Sequence, residues 1–331
     1  MLLLKDFRRS FGTNAENIES VHMNTKAKGY IYGAVAAATY GMNPLFALPL
    51  YENGMNANSV LFFRYLFAIP ILAIMIKSRG RSFAVHKADI FPLAVMGLLV
   101  AISSLALFLS YNYMDAGVAS TILFVYPIMV AVIMALFFKE KISWFTVLCI
   151  LIALGGIAML YQGDNGVTLD PIGILFVMTS SLSYACYIVG VNQTRLKEMA
   201  TVQVTFYVLI FGLSVFVAMI LAGNQLIVPS KWFLWGNIVA LALFPTAISF
   251  VSTTKAIQYI GSTPTAILGA LEPVTAVIFG VTIFGEAFTP KLATGIVMII
   301  VSVTMIIAKG NITTQMLRFR KLFPKLIHRH K

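Results

Sequence analysis

Two ionisable side chains stand inside stretches that otherwise carry no charge: Glu272 within residues 262–284 and Arg64 within residues 59–76. A charge at the centre of a bilayer costs roughly 2.5–3.5 kcal/mol on insertion scales, so such a residue normally faces a cavity or a partner. Glu272 lies ten residues into its stretch, about 15 Å deep at a helical rise of 1.5 Å per residue. A carboxyl group at that depth suits proton-coupled handling of a ligand; a structural ion pair or hydrogen bond is the alternative. Arg64 is five residues in from Ser59. It is placed either to touch a substrate or to snorkel to the nearer surface. Uncharged polar residues at mid-depth complete the set of candidate binding or coupling residues: Tyr40, Asn43, Tyr126, Ser181, Tyr184, Thr246 and Ser249. Each is a candidate wall residue, and each also suits hydrogen bonding between helices.

Prolines add a second kind of chemistry. Pro44, Pro127, Pro245 and Pro273 fall inside apolar stretches and free the carbonyls of Tyr40, Leu123, Leu241 and Gly269 in a medium with few donors. Such a break either presents backbone groups to a ligand or makes a packed kink. Pro127 and Pro273 recur in matching contexts and are the candidate hinges. Catalytic chemistry has no foothold. His22, His86, His328 and His330 all lie outside the apolar runs, and no phosphate-binding loop, serine-nucleophile motif or zinc-binding helix motif occurs. No catalytic residue, metal ligand or cofactor is expected.

The elements that position these residues follow from composition. The chain is 59% hydrophobic and 11% charged, against roughly 45–50% and about 25% in a soluble domain. Lipid is the implied solvent. A span needs about 20 apolar residues, and uncharged runs cover 29–51, 90–114, 116–138, 142–163, 171–194, 232–254 and 292–308, with another inside 199–230. With the two singly charged stretches the total is ten. The net charge of +12 does not point to nucleic acid, because the cations cluster at the ends of these runs. Placing the N-terminus inside puts 21 of the 24 Lys and Arg on the cytoplasmic side, leaving Lys231 and Lys291 outside and Arg64 in a span. Both termini are therefore expected in the cytoplasm of a multi-pass cell-membrane protein, of bacterial inner-membrane type. Residues 1–28 form a cytoplasmic segment without a secretory signal pattern, with either Met1 or Met23 as the start. The tail, 309–331, is basic with interspersed Leu and Phe, and suits either an anionic lipid surface or plain solvation. Cys149 and Cys186 read as small core residues.

The chain also repeats itself. Residues 116–161 and 262–307 share a pattern at a spacing of 146, pairing Pro127 with Pro273, Phe138 with Phe284 and Glu140 with Glu286. Earlier in each half the offset is 144, pairing Gly29 with Gly173, Tyr40 with Tyr184 and Phe62 with Phe206. Five spans per half is an odd number, so the second half is inverted, and a binding site is expected near mid-membrane between the halves.

Tyr126-Pro127 with Phe137-Phe138-Lys139-Glu140, and Leu271-Glu272-Pro273 with Ile283-Phe284-Gly285-Glu286, are each followed by a glycine-bearing last run containing Gly155-Gly156 or Gly295. Together with the phrase at 256–262, these segments resemble the EamA-type family of the drug/metabolite transporter superfamily. Lys139 departs from the pattern, standing where the second copy has Gly285. The resemblance implies an all-α integral membrane fold: ten transmembrane helices in two inverted five-helix repeats, residues 29–161 and 171–308. It further implies a cavity lined mainly by helices 1, 3, 4, 6, 8 and 9, and alternating access. The expected function is secondary transport of small organic metabolites, amino acids or related compounds, by export or exchange, with protons a candidate coupling ion. A channel-like facilitator and a membrane scaffold are the competing readings.

Overall fold

Long apolar runs satisfy their backbone N–H and C=O groups in hydrocarbon by coiling into helices. The computed structural model describes residues 25–114, 119, 122–141, 143–160, 170–283, 289–291 and 293–305, and no strand occurs among them. Helix α1 covers residues 25–40. It is followed by α2 (Asn43–Glu52), α3 (Ala57–Ser78), α4 (Lys87–Ser110), α5 (Tyr126–Phe138) and α6 (Trp144–Leu160). Then come α7 (Pro171–Gln193), α8 (Thr201–Leu221) and α9 (Trp232–Ile260). The last three are α10 (Ser262–Leu268), α11 (Leu271–Ile283) and α12 (Ala293–Met305). Helices α3, α4, α7, α8 and α9 are long and apolar enough to cross a membrane, and α5, α6 and α12 are shorter apolar helices. The initial segment 1–24, the tail 309–331 and the repeated Glu286 lie outside the described residues.

Three runs expected to be single helices are broken. Turns at residues 41–42, 124–125 and 269–270 separate α1 from α2, the helical residues before 124 from α5, and α10 from α11. In each case a proline follows within the first turn of the next helix: Pro44, Pro127 or Pro273. A first-turn proline loses no intrahelical bond, so restarting the helix there costs less than carrying proline in its interior. Pro245 takes another route, and α9 runs past it through a π-helical segment, Ala242–Ile248.

The packing inverts the pattern of a soluble protein. Ile74, Phe91 and Leu136 are each about 70% exposed, whereas Arg64, Ser181 and Thr246 are fully buried. Small residues let the helices approach. A β-carbon at Gly97 of α4 would lie 2.7 Å from the Val208 carbonyl of α8. Between α4 and α7, Ser180 donates to the Ser103 carbonyl at 2.8 Å. At one end of the bundle Ile227 N donates to Ser59 Oγ at 2.8 Å and Lys231 Nζ to Asn53 Oδ1 at 2.9 Å. At the other, Gln258 Nε2 donates to the Met199 carbonyl at 2.9 Å and Lys255 Nζ to Tyr32 Oη at 3.1 Å.

Helices α6 and α12 meet where a β-carbon at Gly156 would fall 2.8 Å from the Gly295 carbonyl. Gly156→Ala is expected to force these helices apart and remove about 1–3 kcal/mol of stability. Gly236→Ala, with nothing within 4 Å of its added methyl group, serves as the control. Thermal unfolding of the two purified variants in detergent checks this, the first midpoint falling and the second holding.

Candidate functional site

The breaks in the helices converge on a small internal cavity. One wall is Gly33, Ala36, Ala37 and Tyr40 of α1, with Tyr126 at the start of α5. The facing wall is Tyr184 and Ile188 of α7, Ser249 and Thr253 of α9, and Thr265, Gly269 and Glu272 around the α10–α11 break. Its volume is about 20 Å³, room for a single water molecule.

Three tyrosines shape this space. The rings of Tyr40 and Tyr184 stack with centroids 6.2 Å apart and planes 15° from parallel. Tyr126 meets Tyr184 edge-on at 5.0 Å. Its hydroxyl donates to the Ala266 carbonyl of α10 at 3.1 Å. That approach depends on Gly269, where a β-carbon would sit 1.6 Å from the Tyr126 oxygen. Likewise a β-carbon at Gly41, in the α1–α2 turn, would lie 2.4 Å from the Glu272 carbonyl. The missing side chains let the broken helices touch. Glu272 is half-buried with its side chain in the cavity wall, and no Lys or Arg among the described residues forms an ion pair with it.

Of the residues singled out from sequence, Tyr40, Tyr126, Tyr184, Ser249 and Glu272 line the cavity together. Ser249 also donates to the Ala36 carbonyl of α1 at 2.9 Å. The others do not line it. Ser181 donates to the Leu123 carbonyl at 2.9 Å, the acceptor that Pro127 frees. Thr246 donates to the Leu241 carbonyl at 2.7 Å, the acceptor that Pro245 frees. Asn43 is buried, and neither of its amide atoms has a partner among the described residues. Arg64 does not snorkel: it is fully buried and donates from Nε to Thr246 Oγ1 and from Nη2 to the Pro245 carbonyl at 3.1 Å. Counting residues from the end of the span gives its axial depth, but α3 turns that side chain towards α9 and away from any surface.

Thr253, Thr265, Ile188, Gly33 and Ala36 were not singled out from sequence. Helical spacing carries the signal for most of them: Thr253 and Ile188 are four residues beyond Ser249 and Tyr184, and Ala36 and Gly33 are four and seven before Tyr40, whereas Thr265 lies across the α10–α11 break from Glu272 and no such spacing finds it.

Thr246 Oγ1 donates to the Leu241 carbonyl and accepts from Arg64 Nε, so Thr246→Val is expected to remove about 1–3 kcal/mol of stability, chiefly by leaving Arg64 Nε without a partner. Thr246→Ser restores the hydroxyl and most of the loss. Unfolding midpoints of the purified variants in detergent provide the measurement.

Residues 27–162 and 171–308 each match the EamA-like transporter family. The chain is 27% identical over 251 residues to an uncharacterized transporter of Archaeoglobus fulgidus, covering 76% of this chain and 86% of the relative. It is 22% identical over 282 residues to the uncharacterized transporter YcbK of Bacillus subtilis, covering 81% and 89%. A crystal structure of a protein with 16% identity shares the fold at a TM-score of 0.72, over 88% of this chain and 99% of that one. With matches over most of its length and several helices apolar enough for lipid, this chain is a multi-pass membrane protein and belongs to the EamA-like transporter family.

Proposed function

We propose that the chain is a secondary transporter that exports or exchanges small organic metabolites, amino acids or related compounds, by alternating access around the tyrosine-lined cavity. The observation that carries this reading is that residues paired by the sequence repeat meet at the cavity, which supports a site between two halves related by inversion. Tyr40 and Tyr184, 144 positions apart, stack directly. Tyr126 and Glu272, 146 apart, both stand in the wall.

Contacts recur in equivalent pairs throughout, which supports ten spans in two inverted halves. A β-carbon at Gly29 would press on Tyr259 and Ile260, and one at Gly173 would press on Tyr113 and Met114. Ser249 bonds the Ala36 carbonyl while Ser180 bonds that of Ser103. Gly156 abuts Gly295, and Ser302 donates to the Cys149 carbonyl at 2.6 Å. In the last case the second contact joins the counterparts of the residues in the first at the 146 spacing, and in the other two one partner is counted at 144 and the other at 146. On this reading α1–α2, the 119–138 stretch and α10–α11 are broken spans, and both termini are cytoplasmic. The hydrogen-bonded ends and a one-water cavity fit a contracted state that must part to admit a metabolite. Glu272 is the proposed proton carrier, Pro127 and Pro273 the proposed hinges.

Comparing metabolites in the medium of cells with and without the protein identifies a substrate. In proteoliposomes its flux is expected to saturate and to follow an imposed pH gradient. Glu272→Gln should lower the gradient-driven component about tenfold or more, equivalent to losing at least ~1.4 kcal/mol of coupling. Unsaturable conductance would identify a channel, and a glutamine variant with unchanged rate and pH dependence would leave Glu272 a structural role. In a cysteine-free background a single cysteine at position 53 is expected to label from outside intact cells, and one at position 78 to stay protected. The reverse pattern would overturn the orientation.

A further inference from the structure

Arg64 stands behind the cavity wall. Its guanidinium carbon lies 5.9 Å from the centroid of the Tyr40 ring, and Tyr40 itself lines the cavity. On another side the same carbon lies 5.7 Å from the Phe108 ring, against which Tyr51 packs at 6.1 Å. The side chain is fully buried, and no carboxylate among the described residues forms an ion pair with it. Nε and Nη2 have acceptors on α9, but Nη1 has none among the described residues, and the buried Tyr51 hydroxyl likewise has no partner.

A purely structural arginine at this position would be expected to use its whole donor fork, because a buried guanidinium is costly unless charge and hydrogen bonds are both matched. Phe108 attracts the cation through its face alone, whereas Tyr40 also offers it a hydroxyl as a hydrogen-bond acceptor. What Nη1 still lacks is an acceptor, and an anionic oxygen suits it best because it would also balance the buried charge. Resting on the transporter reading, we propose that Arg64 Nη1 and the Tyr51 hydroxyl form a subsite for a carboxylate on the transported molecule. Tyr40 is the partition between this subsite and the cavity. Rotation of the Tyr40 ring opens the cavity towards Arg64 and lets one ligand reach from Glu272 to Arg64. Arg64 stays anchored to Thr246 and Pro245 throughout, so the subsite is positioned before the ligand arrives.

The test uses the purified full chain in detergent and reads its thermal midpoint against the proteinogenic amino acids, their N-acetyl derivatives and their methyl esters. The ester removes the carboxylate charge while keeping the side chain. At least one free or N-acetylated acid is expected to raise the midpoint, with its methyl ester needing about ten times the concentration or more for the same rise. Arg64→Gln is expected to erase that preference and Arg64→Lys to keep part of it. Esters that match their acids on the wild-type protein, a panel in which no acid raises the midpoint, or a glutamine variant that still prefers acids would each overturn the subsite. The wild-type acid-against-ester comparison decides the matter even if the glutamine variant does not fold. Saturable flux of a metabolite without a carboxylate would sink this subsite and leave the transporter reading standing, whereas absence of any flux counts against that reading itself.

Discussion

A backbone carbonyl released by proline inside hydrocarbon has no water to turn to, and leaving it unpaired costs about 1–3 kcal/mol. The centre of this bundle is organised around meeting that demand. Ser181 of α7 bonds the Leu123 carbonyl that Pro127 releases, so the break before α5 is tied to α7. Thr246 bonds the Leu241 carbonyl released by Pro245 and accepts from Arg64, which ties the π-helical segment of α9 to α3. The same residues that let the helices bend thus fix what the bends pack against. The cavity sits where two of the broken runs, α1–α2 and α10–α11, and the start of α5 come together.

Glycine performs the complementary task. At Gly269 and Gly41 the approach of neighbouring atoms leaves no room for even a methyl group. Tyr126 can therefore plant its hydroxyl against α10, and the turn between α1 and α2 can lie against the backbone of α11. Polar ties and missing side chains act together here, since neither a serine bond nor a tyrosine bond across helices forms unless the backbones come close.

Much of this was legible in the sequence because the bilayer imposes a length on every span and a penalty on every polar atom within it. Glu272, Tyr40, Tyr126, Tyr184 and Ser249 were recognisable as wall residues because polarity at mid-depth is rare. Ser181 and Thr246 looked the same by composition, yet they serve freed carbonyls. Only the rotation of α7 and α9 about their axes separates the two roles. Of the two readings of Arg64 the snorkel alone fails, for a related reason, since depth along an axis says nothing of the side to which a side chain points. Gly33, Ala36 and Gly269 carry no chemical label at all, and their part in the cavity is one of absence. The breaks in the first, fourth and ninth runs were foreshadowed by proline, but their form, a fresh helix started at the proline, reflects the low cost of proline in a first turn.

The exchange of tyrosine for glutamate between equivalent positions 126 and 272 has an energetic consequence. A chain of two identical halves related by inversion would have inward-open and outward-open forms that are images of each other, with equal free energies and populations. Proton binding could not favour either. On the proposed alternating-access reading with Glu272 as proton carrier, an acid in one half and a phenol in its counterpart would lift that degeneracy, and the separation between the two forms would depend on that proton. On that proposal, divergence at a single pair of repeat positions would be enough to turn a symmetric rocker into a biased one.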